Sequence, residues 1–439
     1  MTTKLQIQQA AARVQRCLED PLICAPFPAT MSRDEFVTCV EREQALARIK
    51  CEQELVRLDE GIARLDEGHD EDINLASFDT CEILAPLRFL FEKRIMNNFA
   101  LIDAVEKGQT SVVKMLLAFV DPSNNLAIRI ASKNGRTDVV KVLLADSRVD
   151  LSAHNFEIRD ASANGHTEVV KVLLADSRVD PSANDNRAIR TASANGHSAV
   201  VKVLLTDPRV DPSVDNNYAI RMASQNGNTD VVKVLLADSR LSPANPSANN
   251  NEAICVASTK GHTEVVKVLL ADPRVDPSAN DNFAIRAASE KGHTDIVKAL
   301  LADSRLSKPD PSANNNYAIK MASRNGHTDV VKVLLADPRV NPSANVNFAI
   351  RMASVYGHTN VVKVLLADAR VNPSADNNFA IQYASYFGKI EVVKLLLADP
   401  RVDPTVEGNF ALHYATKHGH THVVNVLKAK IPWIKRMWI

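Results

Sequence analysis

Apolar and polar positions alternate in blocks along this chain, and from about Asn97 onward the blocks repeat. One block reads N-F-A-I-R-x-A-S, as in Asn282 to Ser289. A second reads T-E-V-V-K-V-L-L-A, as in Thr263 to Ala271. In the second, Val265, Val266, Val268, Leu269 and Leu270 make a broad apolar stripe that leaves Lys267 outside, which is helical periodicity. A G-H step separates the blocks, and glycine tolerates the left-handed position just past a helix end. After the second block comes D-P-R-V-D-P-S-A-N-D-N, a run of turn-forming residues whose prolines exclude helix. The pattern predicts two short helices per unit and an all-α fold.

The glycine of the G-H step marks the phase. It recurs eleven times from Gly108 to Gly419, mostly 31 residues apart. An alanine four residues before it recurs in every unit, as at Ala257 and Ala288, which predicts close approach of stacked backbones. Helices of this length fall below the roughly 12–15 residues that hold a helix in isolation. One unit cannot bury its apolar face alone, so neighbours must stack into a solenoid. Two three-residue insertions, giving Leu241 to Asn245 and Leu306 to Asp310, break the rhythm. They read as longer tips able to touch a partner or as neutral drift.

The segment G-H-T-E-V-V-K-V-L-L, with N-F-A-I-R-x-A-S before it, resembles the ankyrin repeat. The last unit, Glu407 to Ala415 (E-G-N-F-A-L-H-Y-A), is similar to the ankyrin step D-G-x-T-P-L-H-x-A. The resemblance implies a helical-pair solenoid of about eleven repeats over residues 97–430 that binds another protein on a concave face. The unit is shorter than the ankyrin one, so a tighter turn is expected in place of the usual β-hairpin finger. The D-P-S-A-N-D-N linker resembles that of ankyrin arrays in giant viruses of amoebae and in amoebae. Such a protein works in the cytoplasm, or the host cytoplasm if viral.

Composition narrows the function. Lys and Arg number 52 and Asp and Glu 52, so no basic footprint marks a nucleic-acid binder. No apolar run is long enough to span a membrane. Five of the six cysteines lie in the first hundred residues without a C-x-x-C pair, which reads as reduced thiols. No phosphate-loop, dinucleotide, zinc-protease or serine-hydrolase motif is present, so neither an enzyme nor a cofactor is expected. His413, His418, His420 and His422 crowd together, but their spacing fits no standard zinc site.

Charges and histidines fall in register. Ten repeats carry a lysine on the second helix, and seven of these have an acid three residues earlier, as in Glu264 and Lys267. A second row is A-D-x-R, such as Asp272 with Arg274, and a third is the cation after the first-helix isoleucine (Arg190, Arg221, Arg286, Lys320, Arg351). Each is a docking stripe or an ion-binding ladder in the functional reading. Each is repeat-to-repeat pairing in the structural one, which is favoured. Seven histidines in the G-H step argue for one structural role per repeat.

Partner binding is expected where the pattern breaks. The two residues before the G-H step are mostly small or polar, but become Arg324-Asn325, Val355-Tyr356 and Tyr386-Phe387. Together with Tyr383 and Tyr414 they make Arg324, Tyr356, Tyr383, Tyr386, Phe387 and Tyr414 the candidate partner-binding residues. Extra packing near the end of the array is the alternative. Tyr218 and Tyr317 share the repeated ring position of Phe283, which reads as core. Truncating Tyr356 and Tyr386 is expected to remove binding and spare thermal stability.

Residues 1–95 carry no repeat and read as a helical docking or capping region, with a long helix over about 33–65 able to self-associate. An adaptor or effector activity in residues 1–95, with the repeats as targeting module, is the alternative function. Residues 431–439, with Trp433 and Trp438, read as a capping tail or a short membrane-surface segment, with no stable membrane insertion.

Overall fold

The computed structural model describes residues 99–431, apart from 119, 121–124, 150, 152–154, 241–242 and 305–307. The region expected over 1–95, including the long helix at 33–65, and the tail with Trp433 and Trp438 lie outside the described residues. Among the described residues there are 22 α-helices and no strand. They fall into two compact bodies that divide between Ala153 and His154.

The first body holds two helix pairs, Phe99–Lys107 with Thr110–Leu117 and Leu126–Lys133 with Thr137–Leu144. The second holds nine, from Phe156–Ala163 with Thr167–Leu174 to Val406–Lys417 with Thr421–Lys430. Within the second body first helices pack on first helices and second helices on second helices, one repeat to the next. The core follows from that order. Ala318, Ile319 and Ala322 of one first helix and Val330, Val331 and Leu334 of its second helix are fully buried. Each Val, Ile or Leu so buried contributes about 1.5–3 kcal/mol. The recurring alanine is buried in every pair of the second body, because any larger side chain would push adjacent helices apart.

The linker builds a turn that periodicity alone does not reveal. In eight successive repeats three consecutive residues adopt left-handed backbone, φ between 51° and 71°, before the right-handed helix begins. An L-residue pays roughly 1–2 kcal/mol in this conformation, and asparagine and aspartate pay least. That is why asparagine and aspartate fill most of these positions, and why the third is always asparagine. The third asparagine is then turned inward, and its Oδ1 accepts the backbone N–H that opens the next repeat's turn. Asn186 accepts from Asp211 at 2.8 Å, Asn251 from Asp276 at 2.7 Å and Asn347 from Asn372 at 2.7 Å. The donating repeat closes its own turn, since Asp276 Oδ1 accepts from both the N–H and the hydroxyl of Ser278. Where the chain carries its insertions the bond is kept: Asn217 accepts from Asn245, and Asn282 from Asp310, both at 2.6 Å.

Two further rows pin repeat to repeat. The A-D-x-R arginine grips its own aspartate with two nitrogens and reaches back to a carbonyl of the preceding repeat. Arg339 bonds both oxygens of Asp337 and donates to Pro309 at 3.0 Å, and Arg370 does the same with Asp368 and Val340. These arginines hold the carboxyls of Asp337 and Asp368 below the ordinary aspartate range. The G-H histidine is the second row. His327 Nε2 lies 2.9 Å from the carbonyl of Glu290, and His358 Nε2 lies 2.9 Å from that of Arg324. A carbonyl only accepts, so Nε2 carries the proton. The ring lies against the preceding glycine. A Cβ at Gly326, whose φ is +82°, would sit 2.6 Å from Nδ1 of His358. The glycine is therefore required twice, by its backbone angle and by the ring it faces.

The lysine row is plain surface. All seven acid–lysine pairs form, as Glu264–Lys267 at 2.7 Å and Asp329–Lys332 at 2.9 Å, with both partners solvent-exposed. Such pairs contribute little.

Candidate functional site

One face of the first helices stays accessible. Counting back from the glycine, residues eight, seven, four and three before it are buried. Those nine, six, five, two and one before it are mostly accessible. That set has helical i, i+3, i+4, i+7, i+8 spacing, so it forms a single stripe, and stacking of the first helices lays the stripes side by side.

The rings nine residues before the glycine belong to this face, and not to the core as the sequence suggested. Phe283, Tyr317, Phe348 and Phe379 are each partly accessible. Cations lie over these rings. The Arg286 guanidinium lies 5.8 Å from the Phe283 ring and 5.3 Å from that of Tyr317 in the next repeat. Lys320 lies 5.9 Å from Phe348, and Arg351 4.7 Å from Phe379. Cation and ring alternate along the stack, each attracted to the other's face. Before Gly261 both positions of this ladder are lost, with Glu252 at the ring position and Cys255 at the cation position; elsewhere Arg187 replaces one ring and Gln382 one cation. Cys255 is a free buried thiol whose pKa burial pushes up to about 11, so it is a packing residue and not a nucleophile.

The candidate residues divide into two groups. Tyr386 stands at the centre of the first, 5.0 Å from Tyr414 and 4.7 Å from Phe387, both edge-on, and 4.3 Å from the His418 ring. Tyr383 stacks on Phe379 at 4.0 Å and Phe410 meets Tyr414 at 4.2 Å. Burial and the tyrosine neighbours raise the Tyr414 hydroxyl above its ordinary pKa. The second group is a pair: the Arg324 guanidinium lies 5.7 Å over the Tyr356 ring. Tyr356 and Phe387 are equivalent residues of adjacent repeats, with 47% and 46% of their surfaces exposed. Tyr386 is half-buried among rings, so its truncation costs packing, and only Tyr356 fits the expectation of a change that spares stability. His418, Phe379 and Phe410 join the cluster without having been singled out from sequence. Their signal was the register of the repeat, which assigns them the same face.

In two earlier repeats the same positions are occupied by structural groups. Asn195 and Asn226, equivalent to Tyr356 and Phe387, donate to carbonyls of the preceding repeat, Ala163 at 2.7 Å and Ala194 at 2.8 Å. Among the described residues no three His, Cys, Asp or Glu side chains converge as metal ligands.

A family model described as ankyrin repeats in three copies matches residues 189–281, 254–350, 284–376 and 350–432, which together span more than half of the chain. The stacked helix pairs and this match establish that the chain belongs to the ankyrin-repeat family. Ankyrin repeats are in general protein–protein interaction modules, and proteins built of them are typically non-enzymatic scaffolds. No curated protein matches the chain. Among the described residues no helix is long and apolar enough to cross a membrane.

Proposed function

We propose that this protein is a non-enzymatic scaffold that binds a partner protein on the concave face of its array, over the repeats from Tyr317 to His418. The observation that supports this most is the exposure of Tyr356 and Phe387 at positions where three other repeats place an asparagine, Asn195, Asn226 or Asn325, bonded to the repeat before it. Solvent-facing rings in adjacent repeats, backed by a packed aromatic cluster, are the chemistry of an interface hot spot. Arg324, Tyr383, Tyr386 and Tyr414 complete the site. We place the encounter in the cytoplasm, in keeping with the free thiol of Cys255.

The test places a photo-crosslinking phenylalanine analogue at residue 356 or 387, and at residue 267 on the second helices as control, in cells that express the chain. Discrete protein adducts are expected from 356 and 387 and none from 267. An identical adduct pattern at all three, or no adduct at 356 and 387, overturns the proposal.

A further inference from the structure

We infer that the occupant of this face is an acidic protein segment bearing apolar side chains. The inference rests on the docking function proposed above and adds the chemistry of the partner.

Charge along the stripe is unevenly compensated. Toward the amino end the cations after the isoleucine find acids: Arg159 pairs with its neighbour Asp160 at 2.6 Å, Arg190 with Asp215 of the next repeat at 2.7 Å, and Arg221 with Glu252 of the next. Past the interruption at Glu252 and Cys255 the pairing largely stops. Arg286 donates to the carbonyl of Asp281, a neutral group, at 2.8 Å. Lys320 and Arg324 lie beside rings, which attract a cation without cancelling its charge. Arg351 alone keeps an aspartate, Asp376. Among the described residues no carboxylate stands within ion-pair distance of Arg286, Lys291, Lys320, Arg324 or Lys417. The only acid at the stripe positions from Phe283 to His418 is Glu290, which accepts from the Tyr317 hydroxyl at 2.7 Å. The chain as a whole is neutral, so this positive strip is local.

The surface between the cations is apolar: Met321, Met352, Val355, Tyr356 and Phe387 are partly or largely accessible. Carboxylates of a partner would meet the uncompensated cations, and its apolar side chains would cover the methionines and rings. Nucleic acid is the weaker fit. The ladder rings already carry a cation or another ring on their faces, and stacking bases need those faces open.

Selection from a random-peptide display library on the full chain tests this, with a short oligo(dT) as a second probe. Enriched peptides are expected to be net acidic with aromatic or aliphatic anchors. Their affinity should fall about tenfold for Lys320→Gln/Arg324→Gln and, separately, for Lys417→Glu, an exposed residue. A similar loss is expected between about 50 and about 500 mM salt. Neutral or basic peptides that lose binding with Tyr356→Ser/Phe387→Ser but ignore the charge changes overturn the acidic partner and keep the docking face. Peptides indifferent to both pairs, or no enrichment, overturn both. Oligo(dT) binding as tight as the best peptide overturns the protein partner.

Discussion

The two ends of one array, built from nearly the same sentence of residues, solve different problems on the same face. In the repeats around Gly196 and Gly227 four accessible first-helix positions are tied to the array itself. Asn195 and Asn226 bond backward and Arg190 and Arg221 find acids forward. In the repeats around Gly357 and Gly388 the asparagine becomes Tyr356 and Phe387 and the tie is given up. The comparison teaches where this array stops stabilising itself, and that is the surface we propose as its docking face. Loss of a bond worth about 1 kcal/mol is cheap beside the gain of an aromatic anchor.

Several changes would break or sharpen this contrast. The largest effect belongs to Tyr356→Asp/Phe387→Asp, which should cost partner binding about a hundredfold or more while leaving the urea midpoint nearly unmoved. A matching loss of stability would show the rings to be packing residues. Next comes Gly326→Ala, expected to destabilise by about 2–4 kcal/mol, since the added methyl meets both a left-handed backbone and the His358 ring. A midpoint within error of the parent would refute the double requirement. Asn226→Ala, by contrast, should cost about 1 kcal/mol of stability and nothing in binding. Smaller still, Val346→Asn should stabilise by about 1 kcal/mol, because Val346 is a β-branched residue held at φ 56° with its side chain in solvent.

Acid should act on both ends alike and so serves as an internal control. The carboxyls of Asp176, Asp207, Asp337, Asp368 and Asp399 are held below their ordinary range by the arginine two residues on. A depressed folded-state pKa gives stability that is complete above the unfolded value of about 3.9 and is lost as pH falls through the folded value. The urea midpoint should be flat from neutral pH to about pH 5 and fall below about pH 4. Replacing Asp337, Asp368 and Asp399 with Asn should flatten that fall.

Much of this was legible in the sequence. Helix pairs, phase, the left-handed glycine, the buried alanine and the acid–lysine pairs all follow from spacing, because each depends on residues a few positions apart. The candidate residues were found because they depart from a repeat that is otherwise uniform. What escaped were interactions one repeat away. Nothing local tells that Asn251 will accept from Asp276 or that His358 will lie against Gly326. Phe283 was assigned to the core because an aromatic at a fixed helical position usually is; only the arginine stacked beside it shows that its ring faces outward. The left-handed turn was written in the N-D-N letters, but their meaning needs three consecutive angles.

The asparagine bond that spans the insertions carries a consequence for how such arrays change. Asn217 meets Asn245 as firmly as Asn186 meets Asp211, although three more residues intervene. The junction recognises the first N–H of the next turn and is blind to the length of chain before it. Sequence added between Asn217 and Asn245, or between Asn282 and Asp310, therefore leaves the bond between repeats in place. Such a design lets a rigid spine acquire new loops one at a time.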